Sequence, residues 1–389
     1  MIYYDKSAWF GFRFMFQWRG SIIGSAMPYV IMWTGYCACV VAIIKMEVER
    51  RYPSIKVEVP GLDGLTFVAG FMLSMQGGIA FKRYENALSG YSSLDNTCAE
   101  LTRHAAMILD VEEQNELRHE LRRVMIATLL TMVIDVKTCA SGGHLTALLR
   151  QEVLRRAVSE GLLTPAEKEV ATKCGPKIAM RYMTSNVQHR VVQLMFAKEH
   201  SGWRDKWHNE ATLQPIVNIV KTFDGHWKQM LGTATVLRNQ TDMAFPMCFV
   251  QVSRILWLIA LLAFPLKLAH DMGWTTVGFQ FLFSLAYFML DLIAADFGNP
   301  LGLHANAVPM DELLTLVERR SQDTLDATAS QPHLSQPNER GTPTPRYDMG
   351  TIVQPIMKVR NLSDARSELR DYFAKKSPPQ GQGGAEGNI

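Results

Sequence analysis

The sequence lacks the strings that mark most enzymes. It contains no Gly-x-x-x-x-Gly-Lys-Ser/Thr loop, no Gly-x-Ser-x-Gly elbow, no Gly-x-Gly-x-x-Gly turn and no His-Glu-x-x-His pair. Phosphate cradles, activated serines, dinucleotide clefts and zinc hydrolase helices therefore have no basis, and no enzyme is expected. The six cysteines, Cys37, Cys39, Cys98, Cys139, Cys174 and Cys248, include no Cys-x-x-Cys pair. A disulfide framework or a zinc site is not supported, and the thiols read as free and mostly buried, like small hydrophobes. Charge of one sign is also missing. The 40 Lys and Arg nearly balance 37 Asp and Glu, for a net +3, with no dense basic block, so a nucleic-acid partner has no footprint. No secretory signal is evident, because the first apolar run is too long and no small-residue cleavage site follows it.

Apolar length is what the chain does have. Its mean hydropathy of −0.01 averages long apolar runs with charged stretches. Residues 21–46 carry no charge before Lys45, and Leu62–Phe81 carries only Asp63. Two more runs follow at Met243–Leu268 and Gly273–Ala295, joined by a short turn. Each meets the roughly 20 residues that a helix needs to cross a bilayer. Between the second and third runs the charges return with helical periodicity. Val124–Ile134 is too short to span and predicts a buried core helix. The fold class that follows is an all-α membrane protein, with four transmembrane helices and a helical cytosolic domain. The expected division is an N-terminal cytosolic segment 1–20, the first two spans within 21–82 and a helical domain 83–240. Spans three and four then fall in 241–297, a cytosolic segment containing Asn299-Pro300 in 298–318, and a mostly disordered tail in 319–389. An even number of spans places both termini on one side. Arg254 and Asp291 fall inside membrane runs and are expected to form a structural ion pair.

Several strings in this order resemble the bestrophin family. Trp18-Arg19-Gly20-Ser21-Ile22 is similar to the WRGSI that opens the family's first span. Arg83-Tyr84 resembles its RWW or RYW, and Thr164-Pro165-Ala166-Glu167 its TPAE. Phe245-Pro246-Met247-Cys248-Phe249-Val250-Gln251-Val252 resembles IPLVYTQV. Gly298-Asn299-Pro300-Leu301-Gly302 with Val308-Pro309-Met310-Asp311 resembles NPFG…LPLD. The likeness covers about residues 10–318 and omits the tail.

The resemblance implies a passive anion channel, a homopentamer in a lipid bilayer that conducts chloride, bicarbonate or other monovalent anions. The membrane it implies is the plasma membrane or the plastid thylakoid. Phe67, Phe71 and Met75 lie on one helical face at i, i+4 and i+8. By spacing alone they are a packing stripe. The family places three large apolar neck residues sixteen, twelve and eight positions before the arginine matched by Arg83, which selects these three. Met75 departs from the family's usual Phe. Gly61 and Gly64 open the second span, either as backbone donors facing the pore or as a plain turn capped by Asp63. Lys82 and Arg83 close it, as attractors of anions or as interfacial anchors. A cytosolic aperture is expected near Met183 and Val187. Animal relatives bind calcium after NPFG, but here residues 303–307 read Leu-His-Ala-Asn-Ala. Without carboxylates they make no calcium clasp, so no cofactor or metal is expected. The competing reading is a scaffold that anchors partners through its cytosolic domain and tail.

Overall fold

The computed structural model describes residues 23–48, 61–109, 115–141, 144–197, 210–242, 247–303, 307–329 and 345–361. These residues form helices and connecting turns, with no strand among them. The WRGSI-like string, residues 49–60 and residues 304–306 lie outside the described residues.

The first unit holds the apolar helices. It comprises residues up to Asn86 and then Met243–Pro300 with Ala305–Ala307. Helix α1 spans Ile23–Ile43 and ends in a π-helical turn, Ile44–Val48. Helix α2 spans Leu62–Ile108, and its first part belongs to this unit. Helices α8 (Met247–Met272) and α9 (Thr275–Gly298) complete it. α1, α2, α8 and α9 are each long and apolar enough to cross a membrane. Helix α1 packs along α9, and α8 contacts both. The turn between α8 and α9 is only Gly273-Trp274, and Gly273 has φ +56°, a backbone conformation that favours glycine. Ala69, Leu73, Trp257, Leu261 and Tyr287 form the core where α2 meets α8 and α9.

The second unit comprises Ala87–Asp242, Leu301–His304 and the residues from Val308 onward. After the later part of α2 come α3 (Asn115–Ser141), α4 (His144–Ser159), α5 (Pro165–Lys173), α6 (Pro176–Ala197) and α7 (Glu210–Asp242). Helix α3 is the centre. Every residue from Val124 to Lys137 is buried, as expected of a helix covered on all sides. It packs against α6, α7 and α10 (Met310–Ala329). Helix α5 starts at a capping box. The Thr164 side chain accepts from the Glu167 backbone N–H at 3.2 Å, and Thr164 N–H donates to Glu167 Oε2 at 2.8 Å. Both orphan donors of the first turn are satisfied by this exchange.

Two boundaries differ from the sequence reading. Helix α2 does not stop near Phe81. Leu73, Ala80, Ala87, Leu94 and Leu101 are buried at seven-residue spacing, so one buried face continues while composition turns from apolar to polar, with no proline to break it. Part of the tail expected from residue 319 is helical. Helix α10 continues to Ala329, and α11 (Met349–Asn361) docks on α4 and α10. Met349, Ile352, Val353 and Ile356 supply its buried face. That short helical period is masked in composition by the Ser, Thr, Gln and Pro on either side. Arg122 also binds the chain just ahead of α11. Its guanidinium donates to Pro345 O at 2.6 Å and Glu318 Oε1 at 2.7 Å, and lies over the Tyr347 ring. Residues 330–344 and 362–389 lie outside the described residues.

Candidate functional site: the exposed stripe of helix α2

Helix α2 has two faces with opposite fates. Ala69, Leu73, Gln76 and Ala80 are buried against the neighbouring helices. On the other side Phe67, Phe71 and Met75 are 74%, 57% and 43% exposed within the single chain. Three large apolar side chains on one face about 12 Å long are left uncovered by the described residues. Gly64 and Gly78 lie on the same face, with nothing within 4 Å of an added Cβ. Lys82, seven positions after Met75, prolongs the stripe and is exposed.

The start of α2 is set by Gly61 at φ +81°. Its carbonyl accepts the first helical bond, from Leu65 N–H at 2.9 Å. Gly61 is therefore the residue that turns into the helix, and Asp63 is not the cap. The Asp63 carboxylate sits in the first turn, where the helix dipole favours it, and meets Lys267 Nζ of α8 at 2.6 Å.

The other end is held by α9. Arg83 Nη1 donates to Gly298 O at 3.5 Å, and the Tyr84 and Phe297 rings lie 4.9 Å apart. Arg83 thus ties α2 to the end of α9, whereas Lys82 stays on the open face.

The ion pair expected between Arg254 and Asp291 is present, with Nη2 to Oδ2 at 3.0 Å. The sequence reading missed its third member. Gln76, one residue beyond Met75, donates from Nε2 to Asp291 Oδ1 at 3.5 Å. A lone Gln in an apolar run was the only signal.

Met183 and Val187 lie on α6, each 1% exposed within the second unit. Both side chains are buried in this unit's core. Among the described residues no group of three His, Cys, Asp or Glu could hold a metal ion. The Asp311 carboxylate faces Lys137 Nζ at 4.0 Å, with Gly302 O bound to the same ammonium at 3.1 Å.

Four membrane-length helices with a helical second unit define an all-α integral membrane protein. The family described as Bacterial/Fungal Bestrophin protein matches residues 1–323, and the chain belongs to that family. It is 20% identical over 319 residues to a voltage-dependent anion channel-forming protein of Nostoc sp. (strain PCC 7120), covering 82% of this chain and 92% of that one. A solved bacterial bestrophin homologue from Klebsiella pneumoniae matches with a TM-score of 0.59 at 15% identity, over 79% of this chain and 100% of its own. A second solved membrane protein matches with a TM-score of 0.61 at 13% identity, over 77% and 98%. At these identities the solved structures show the shared fold.

Proposed function

We propose that this chain is one subunit of an anion channel, and that Phe67, Phe71 and Met75 line its neck. The observation that carries the reading is the uncovered apolar stripe on a membrane helix whose opposite face is packed. One helix cannot enclose a pore, but identical copies around a cyclic axis can. The resemblance implies five copies. The relative that forms voltage-dependent anion channels supports the same class of activity.

An apolar ring gates by wetting: narrow and dry it blocks, and slightly wider it conducts. Phe ring edges carry partial positive charge and face an anion weakly but favourably. Entry favours large, weakly hydrated anions, which lose least on shedding water. Gly61 and the first N–H groups of α2 offer donors at one end of the neck, and Lys82 adds positive charge at the other. Chloride and bicarbonate are the proposed ions, in either a plasma or a thylakoid membrane. With Lys137 already against Asp311, conduction is proposed to need no calcium clasp.

Purified protein in liposomes tests this, with chloride and bicarbonate flux compared in wild type and in the variant Phe67→Ala/Phe71→Ala/Met75→Ala. Wild-type flux that quickens or loses selectivity in the variant is expected. An oligomer that passes no anion, with or without calcium, overturns the channel and moves the scaffold reading forward.

A further inference from the structure

We infer that Gln76 is a positioning residue, which fixes the rotation of α2 and so the aim of the apolar stripe. The inference rests on the neck reading above. It starts from the core that holds α2 in place. Ala69, Leu73, Trp257, Leu261 and Tyr287 pack together there, and that packing limits how far the helix turns about its axis. Polar bonds add a sharper direction, because they hold only over a narrow range of angle and distance. Among the described residues of the first unit, α2 makes three such ties to α8 and α9. Asp63 to Lys267 is 2.6 Å with the carboxylate side chain 90% exposed, and Arg83 to Gly298 O spans 3.5 Å at the far end. Gln76 is the third, and the only one whose α2 residue is buried, at 4% exposure.

Its place on the helix matters. At 100° per residue, Gln76 lies ~180° round from Phe67 and ~140° from Phe71. A bond at the rear of the helix therefore sets where the front points. A rotation of about 20° on a radius of ~5–6 Å moves a side-chain tip by about 2 Å. In a ring of copies every tip moves together, enough to change whether an apolar constriction is wet.

The acceptor is itself held. Asp291 Oδ1 and Oδ2 receive Arg254 Nε at 3.4 Å and Nη2 at 3.0 Å. The carboxylate is thereby anchored to α8, and Gln76 is tied to a pair of helices rather than to a loose side chain. The amide oxygen of Gln76 is buried without a partner among the described residues. A polar group kept there at that cost is expected to contribute something other than packing energy, and orientation is what its geometry supplies.

Gln76→Leu tests this, because Asp291 keeps Arg254 and no charge is orphaned. If that variant fails to assemble, Gln76→Met keeps the unbranched shape. Two readouts are taken in liposomes. One is the rate at which a charged methanethiosulfonate reagent modifies Phe71→Cys, counted over a parent whose exposed Cys39, Cys174 and Cys248 are replaced by Ser. The other is the thiocyanate-to-chloride flux ratio. A change of about threefold or more in both is expected, since a wetting gate responds steeply to width. Labelling at Phe71→Cys that is the same with Gln76 and with Leu overturns the inference, even if flux changes. Labelling that changes in a protein silent to every anion keeps the positioning role and sinks the channel reading instead.

Discussion

Lys137 and Asp311 face each other at 4.0 Å, with side chains 1% and 0% exposed. The ammonium also binds Gly302 O, so α3 holds both Gly302 and the first turn of α10. A buried charge that loses its partner costs about 3–5 kcal/mol, whereas replacing both partners by apolar groups is often near neutral. Lys137→Met and Asp311→Leu should each lower the melting temperature in detergent steeply. The double variant should be less harmed than the sum of the two. Additive losses would show that the two charges do not act as a pair.

The Arg123–Glu167 contact makes a second, independent prediction. Arg123 Nη1 and Nη2 reach Glu167 Oε2 and Oε1 at 2.8 and 2.9 Å, while Oε2 also takes the Thr164 N–H. Burial pushes the Glu167 carboxyl up, but the Arg123 and Thr164 bonds outweigh it and hold it below 4.5. Its contribution to stability is therefore present above that value and lost as pH falls through the lowered one. Glu167→Ala should cost about 1–3 kcal/mol through the lost charged bonds, since Arg123 keeps Glu120 at 2.8 and 2.9 Å and Leu162 O at 2.8 Å. Thr164→Ala should cost only about 1 kcal/mol as a lost cap. Glu167→Gln should flatten stability below about pH 5 relative to wild type, as measured by thermal unfolding across pH.

Much of this architecture is legible in the sequence because its signals are local. Four long apolar runs mark the spans, and the uncharged, mostly apolar stretch Val124–Ile134 marks the core of α3. Charge within a span finds a counter-charge, so Arg254 with Asp291 could be anticipated. What was hidden depends on distant partners. Gln76 gains meaning only when α9 brings Asp291 to it. Lys137 looks like a surface lysine at the end of α3 until Gly302 and Asp311 arrive from more than 150 residues later. The burial of Met183 and Val187 was hidden because a helix period tells which side chains share a face, not which face is covered. Helix α11 escaped because its apolar side chains are few and lie beside low-complexity sequence.

His226 and His104 give a pH dependence within the second unit. Nε2 of His226 lies 2.9 Å from Nδ1 of His104, and the rings stack at 4.9 Å. One ring must donate and the other accept, so both cannot be protonated in this geometry. Burial, and then the charge of His104 and Arg103, push the His226 imidazole below its usual 6.5, against an opposing pull from Glu100. The unfolded chain binds that proton more readily. Stability is thus complete above 6.5 and lost as pH falls through the lowered value. Thermal unfolding from about pH 7.5 to about pH 5 should show a steeper decline for wild type than for His226→Gln. Equal slopes would mean that the pair does not titrate on unfolding.

Met75 offers the sharpest test of the neck, because it can be changed in both directions without touching the packed side of α2. It is the least exposed of the three stripe residues, at 43%, and its thioether is flexible where the two Phe rings are stiff. Met75→Phe should stiffen and narrow the ring, lowering chloride flux several-fold and favouring weakly hydrated anions over chloride. Met75→Ala should do the reverse, raising flux and blunting that preference, since an apolar constriction loses its dewetting barrier as it widens. Both variants keep Ala69, Leu73 and Gln76 in place, so elution volume and melting temperature should stay within the range of a surface change, about 0.5 kcal/mol. Flux that moves in the same direction for both substitutions would point to damaged packing. Opposite movements graded with side-chain size are what a neck at this position requires.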